Sequence, residues 1–209
     1  MNDFSATATV RAAWAMFKER SGFLIFTTLV IFAFAALIGS LNGELVRSSA
    51  LPVLGFFVSI ALGTLLGMGM TAFFLQAHDA IESVELATLW HPQQFLNFLA
   101  VRILTSIAVG VGIVLFIVPG IMFALMFLFA SFVVIDRELG PIEAMKESVR
   151  ITKGYRFELL LLLLILLVLN ILGTIAFLVG LLVSIPVSML ALVHAYRTLE
   201  LKAKTPSVL

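Results

Sequence analysis

Few residues in this chain of 209 could do chemistry, and most of those that could stand in one short stretch. His78-Asp79-Ala80-Ile81-Glu82-Ser83-Val84-Glu85 places His78 and Glu82 four residues apart and Asp79 and Glu82 three apart. On a helix that spacing offers one imidazole and two carboxylates to a divalent cation, with His91 able to add a fourth ligand. Any acidic helix at a water interface produces the same pairs. The solvated face is the plainer reading, and no metal is expected. Arg102 stands inside a long apolar run, where a charge must snorkel, hydrate or find a carboxylate such as Asp136 or Glu158. Asn170 stands midway along another run and calls for an interhelical hydrogen bond or a polar permeant. Arg102 and Asn170 are therefore the candidate polar sites within the apolar runs. His194, beside Tyr196 and Arg197, reads as an anchor at the end of the last run ahead of a proton relay.

The chemistry that is missing narrows the field further. With no Cys there is no disulfide, thiolate nucleophile or Cys-ligated metal. The chain contains no nucleophile elbow, P-loop, His-Glu-x-x-His, dinucleotide fingerprint or zinc spacing. Its carboxylates stand beside Lys and Arg, as on solvated faces, and not alone as poised acids. A net charge of +1 provides no field for nucleic acid. The expectation is a protein without catalytic residues or cofactor.

The elements that position these residues follow from composition. The chain is 62% hydrophobic and 12% charged, against roughly 45–50% and roughly 25% for a globular domain. Its mean hydropathy is +1.17. Such a chain belongs in a bilayer, whose hydrocarbon core of about 30 Å takes about 20 helical residues to cross. The expected fold is an all-α integral membrane protein, one domain over 1–209. Six transmembrane helices form three hairpins, at approximately 23–41 and 51–77, 95–117 and 120–135, and 157–174 and 178–197. Asn42 to Ser49 would connect the first pair. Val118-Pro119-Gly120 would reverse the second, with Pro fixing φ and Gly supplying a left-handed position. The apolar stretch Leu159 to Val193 is too long for one crossing and must turn between Gly173 and Gly180.

Lys and Arg resist translocation, so their distribution orients the chain. Arg11, Lys18, Arg20, Arg137, Lys146, Arg150, Lys153, Arg156, Arg197, Lys202 and Lys204 fall on one side and Arg47 alone on the other. Both termini are expected in the cytoplasm of a bacterium, with the spans in its inner membrane. Ala33-Phe34-Ala35 would suit a signal peptidase, but the apolar run continues to Leu41 and more spans follow, so an uncleaved N-terminus is expected.

A short amphipathic segment precedes each hairpin, at about 6–20, 80–90 and 141–153, which reads as a degenerate threefold repeat. In the third, Ile142, Ala144, Met145, Ser148, Val149 and Ile151 share one half of the wheel. Glu143, Lys146, Glu147, Arg150 and Lys153 share the other, between Gly140-Pro141 and Gly154. The membrane-surface candidates are Trp14, Lys146, Arg150 and Lys153.

Val118-Pro119-Gly120-Ile121, then Val134-Ile135-Asp136-Arg137, Gly140 to Ser148 and Thr152-Lys153-Gly154 carry a resemblance. Over roughly residues 100–170 the chain resembles a widespread group of uncharacterised prokaryotic multi-pass proteins. That group includes the membrane domain attached to some glycerophosphodiester phosphodiesterases. The resemblance implies a six-helix membrane domain. It implies no phosphodiesterase activity, because the chain has no room for that catalytic barrel.

In the second span Gly55, Ser59, Gly63, Gly67 and Thr71 recur every four residues and make a smooth face, widened by Gly69. Gly180, Ser184 and Ser188 repeat it in the last span, near Pro186. Such faces serve helix packing within the chain, docking of a membrane-protein partner or second copy, or the lining of a pore. Three functions remain open. The first is a non-enzymatic membrane scaffold or accessory protein that binds lipid or a membrane-protein partner. The second is a small-solute or lipid transporter or channel. The third is a lipid-modifying enzyme using His78, Asp79, Glu82 or His91.

Overall fold

Residues whose backbone lies in hydrocarbon have no water to bond, so long apolar runs satisfy their peptide groups as helices. The computed structural model describes residues 4–47, 52–90, 92–176 and 179–204, which form nine α-helices and a short 3-10 turn, with no strand among these residues. The helices are α1 (Ala6–Glu19), α2 (Ser21–Arg47), α3 (Pro52–Asp79), α4 (Phe95–Leu115), α5 (Ile117–Met126), α6 (Ala130–Arg137), α7 (Pro141–Thr152), α8 (Arg156–Ile175) and α9 (Leu181–Lys204). Six stretches are long and apolar enough to cross a membrane, α5 and α6 together making the fourth. The hairpins α2–α3, α4–α5 and α8–α9 each pack side by side. The core joins α3, α6, α8 and α9 through Phe73, Phe74, Phe129, Leu159, Leu190 and Tyr196, all fully buried. α1 is part of this bundle, with Ala6, Thr9, Ala13 and Phe17 buried and its contacts made to α9 and α8.

Four local expectations change. First, α2 continues to Arg47, so Asn42 to Arg47 is helix where the sequence suggests a loop. Second, the α4–α5 reversal falls at Phe116, extended at φ −161° and ψ 149°, whose N–H donates to the Gly112 carbonyl at 3.0 Å. Pro119 lies inside the first turn of α5, where a missing N–H costs no intrahelical bond. Gly120 is not left-handed; it is present because α4 and α5 touch there. A Cβ on Gly120 would lie 2.8 Å from the Ile113 nitrogen, and one on Gly112 would lie 2.9 Å from the Gly120 Cα.

Third, the fourth span breaks between Met126 and Ala130. The freed backbone groups are met by α7: Ser148 Oγ donates to the Met126 carbonyl at 2.8 Å and accepts from the Phe129 N–H at 3.1 Å. Fourth, the segment 80–90 is not an α-helix; it turns at 81–83 and makes the 3-10 turn Leu86–Leu89. Two features hold it in this shape. Arg20 Nη1 donates to the carbonyls of Ile81 at 2.7 Å and Glu82 at 2.9 Å. Gly69 lets the Leu89 carbonyl lie directly on α3, where any Cβ would overlap it.

Gly154, at φ 88°, turns the chain from α7 into α8. In the last hairpin Gly173 and Gly180 face each other, a Cβ on Gly180 falling 2.7 Å from the Gly173 Cα. Gly63 differs, with nothing within 4 Å of where its Cβ would stand. Gly120→Val is therefore expected to destabilise the protein by about 1–3 kcal/mol, and Gly63→Val to change it by less than about 0.5 kcal/mol. Unfolding in detergent micelles measures both. Equal stability of the two variants would contradict this packing account.

Candidate functional site: the polar end of the bundle

On α9, Arg197, Glu200 and Lys204 follow at intervals of three and four and share a face. That face meets the ends of three other helices. Arg197 Nη1 donates to Asp136 Oδ2 at 2.7 Å, and its Nη2 stands 2.7 Å from Asp136 Oδ1, a paired contact with α6. The same guanidinium reaches Asp79 at the end of α3, with Nη2 2.5 Å from Oδ2 and Nε donating to Oδ1 at 3.1 Å. Tyr196 OH also donates to Asp136 Oδ2, at 2.8 Å. Arg137 bridges Glu200 on α9 and Glu147 on α7, the latter at 2.6 Å. Arg150 clasps Glu147 at 2.6 and 2.8 Å, and Lys204 Nζ is 2.8 Å from Glu200. The cations Arg137, Arg150, Arg197 and Lys204 thus balance the anions Asp79, Asp136, Glu147 and Glu200.

At the edge of this network the rings of His78 and His194 face each other, Nε2 to Nδ1 at 3.1 Å, and His78 Nδ1 is 3.0 Å from Asp79 Oδ1. This is not the arrangement that the spacing of His78, Asp79 and Glu82 suggests. Asp79 is engaged by Arg197, and Glu82 lies in the turn after α3, so the helical register with His78 is lost. His91 lies outside the described residues. Among those described, no three His, Asp or Glu groups gather closely enough to hold a metal ion.

The other candidates are scattered. Arg102 is exposed on α4 against Gly67, where a Cβ would stand 3.0 Å from its Nη1. It makes no ion pair among the described residues, and Asp136, offered to it by the sequence, belongs to Arg197. Asn170 of α8 is held by α9: its Nδ2 donates to Ser188 Oγ at 2.9 Å, and Ser184 Oγ donates to its Oδ1 at 2.8 Å. Ser184 also lies 2.6 Å from where a Gly173 Cβ would be, near Gly180. Gly55 is buried, and its carbonyl accepts from Ser59 Oγ at 2.7 Å. Trp14 is 44% exposed and stacks on Phe17 with 5.5 Å between centroids. Lys146 and Lys153 are exposed, while Arg150 turns to Glu147. A groove of about 370 Å³ runs between α2 and α3 on the flank of the bundle, lined by Val30, Phe34, Leu62, Leu66, Leu89 and Trp90.

Sequence reasoning missed the network because the pairs that join different helices are 10 to 118 residues apart. The available signal was the recurrence of one acid beside one base, Asp136-Arg137 and Glu147 with Arg150, opposite Arg197 and Glu200. Its chemistry is mutual neutralisation, and each carboxylate is tied to a guanidinium or ammonium.

Fold and polar end together define a multi-pass membrane protein whose helices are joined by charge pairs at one end. No family model and no solved structure matches the chain. It is similar to the uncharacterised protein Rv2560 of Mycobacterium tuberculosis and the uncharacterised protein Mb2590 of Mycobacterium bovis, 26% identical to each over 147 residues. That stretch covers 70% of this chain and 45% of each relative, so the chain spans less than half the length of the curated relatives it matches.

Hydrogen bonds from Arg150 and then Arg137 outweigh burial and hold the Glu147 carboxyl below its ordinary value of 4.5. A depressed carboxylate stabilises the fold fully above its unfolded pKa and loses that contribution as pH falls through the folded one. The thermal midpoint in micelles is expected to drop on acidification below the ordinary value, and to drop less in Glu147→Gln. Identical acid profiles for the two proteins would contradict the pairing.

Proposed function

We propose that this protein is a non-enzymatic multi-pass scaffold or accessory protein that binds lipid or a membrane-protein partner, a second copy of itself included. The observation that carries this reading is that Asn170 and the carboxylates at the polar end, groups a permeation path or active site would use, are engaged by the protein's own side chains. Asn170 is occupied by Ser184 and Ser188, and the carboxylates at the polar end by four cations. What the bundle leaves open is the apolar groove between α2 and α3, which suits an acyl chain or a partner helix better than a solute.

The same reading places the spans in the cytoplasmic membrane of a bacterium with both termini inside. Eleven of the thirteen Lys and Arg support this, since they fall on the side that carries the ion pairs. A second reading, a transporter, draws on the broken fourth span and on Pro186 within α9, since interrupted helices line substrate paths in carriers.

Proteoliposomes and native-membrane nanodiscs separate the two. The expected outcome is no flux across a panel of small polar solutes, together with a stoichiometric lipid or membrane protein retained in nanodiscs. Solute flux that Asn170→Leu abolishes would overturn the scaffold reading in favour of transport.

A further inference from the structure

The connection between α7 and α8 forms a cationic notch that the ion-pair network does not use. Val149, Lys153, Gly154, Arg156 and Phe157 line a cavity of about 520 Å³. The left-handed bend at Gly154 brings the end of one helix and the start of the next to a common hollow. Lys153 and Arg156 make no ion pair among the described residues. Arg156 Nε is buried and has no hydrogen-bond partner, a donor in want of an acceptor. No side chain caps the N-terminus of α8, which leaves the amides of its first turn free for an anion. Glu158 is the nearest acid in sequence, but two residues along a helix place it about 200° around from Arg156, and it does not line the cavity.

The hollow opens onto an apolar track. Phe157 is 75% exposed, and Leu161, Leu164 and Val168 follow it at helical spacing, each exposed on the same flank of α8. A free anion has no use for such a stripe, whereas a lipid has one below its headgroup. We propose that the notch binds the phosphate of one anionic phospholipid, with Arg156 and Lys153 on the headgroup and the acyl chains along Phe157, Leu161, Leu164 and Val168. Charge complementarity and the continuity of the notch with the hydrocarbon-facing stripe choose this occupant. The inference deepens the lipid-binding side of the proposed function and rests on it. Arg156 offers a planar fork to two phosphate oxygens and Lys153 a point charge.

Native mass spectrometry of the full-length protein, titrated in micelles with phosphatidylglycerol or phosphatidylcholine, tests the site. The expected result is about tenfold preference for phosphatidylglycerol. Lys153→Gln and Arg156→Gln each reduce it about fivefold, Arg156→Lys retains part of it, and Lys18→Gln, on α1 outside the cavity, leaves it unchanged. If Arg156→Gln unfolds the α7–α8 connection, Lys153→Gln, at an exposed position, carries the test alone. Unchanged preference in Lys153→Gln, or equal loss in Lys18→Gln, would overturn the proposal. So would displacement of the lipid by millimolar inorganic phosphate, which would mark a soluble-anion site. Failure of the notch would appear as a wild-type protein without preference for phosphatidylglycerol, or with one that Lys153→Gln leaves intact, and no solute flux; failure of the functional reading would appear as flux with the notch's selectivity intact.

Discussion

Arg197 grips Asp136 through Nη1 and Nη2, each at 2.7 Å, and holds Asp79 through Nε and Nη2, so one guanidinium ties α9 to both α6 and α3. A charge at the edge of hydrocarbon is tolerated only when it is paired and its hydrogen bonds are filled. Arg197 satisfies both conditions, and its neighbours Arg137, Glu147 and Glu200 extend the same solution to α7. Three apolar helices, α3, α6 and α9, and the amphipathic α7 thereby acquire a fixed register at one end. Tyr196, fully buried and bonded to Asp136, carries that register into the core beside Phe129 and Phe132.

Three further polar contacts obey the same constraint. Where the fourth span breaks, Ser148 supplies the missing donor and acceptor. Where the chain folds back after α3, Arg20 collects the carbonyls of Ile81 and Glu82. Where Asn170 would stand unsatisfied between α8 and α9, two serines meet it. Glycine does the complementary task by removing bulk at contacts where backbones touch, at Gly69, at Gly112 with Gly120, and at Gly173 with Gly180. Much of the interior's polarity is spent on holding the bundle together, and among the surfaces left over are the α2–α3 groove and the α7–α8 notch.

The six spans were legible because their signal is local: runs such as Leu159 to Val193 admit no other reading in a bilayer, and the turn between Gly173 and Gly180 follows from length. The ends of elements were less legible. Pro119-Gly120 has the composition of a turn, yet the reversal falls at Phe116, because Pro is accepted in a first helical turn and Gly120 serves close approach. Residues 80–90 carry a helical pattern that Arg20 and Gly69 override from elsewhere in the chain. The ion pairs were invisible for the same reason, since no single-sequence pattern links Asp79 to Arg197 across 118 residues. The glycine stripe of α3 was read as one face, but its members differ, with Gly67 against Arg102 and Gly63 open.

The central claim is that Asp136 and Arg197 stabilise the bundle as a pair and not as separate polar residues. A double-mutant cycle of Asp136→Asn and Arg197→Gln, read by unfolding in detergent micelles, measures it directly. The account predicts that Arg197→Gln, which leaves Asp136 and Asp79 without their cation, loses about 3–5 kcal/mol, that Asp136→Asn, which leaves Arg197 on Asp79, loses less, and that the double variant loses less than their sum by about 1–3 kcal/mol. Additive losses would contradict it and leave the helices held by apolar packing alone.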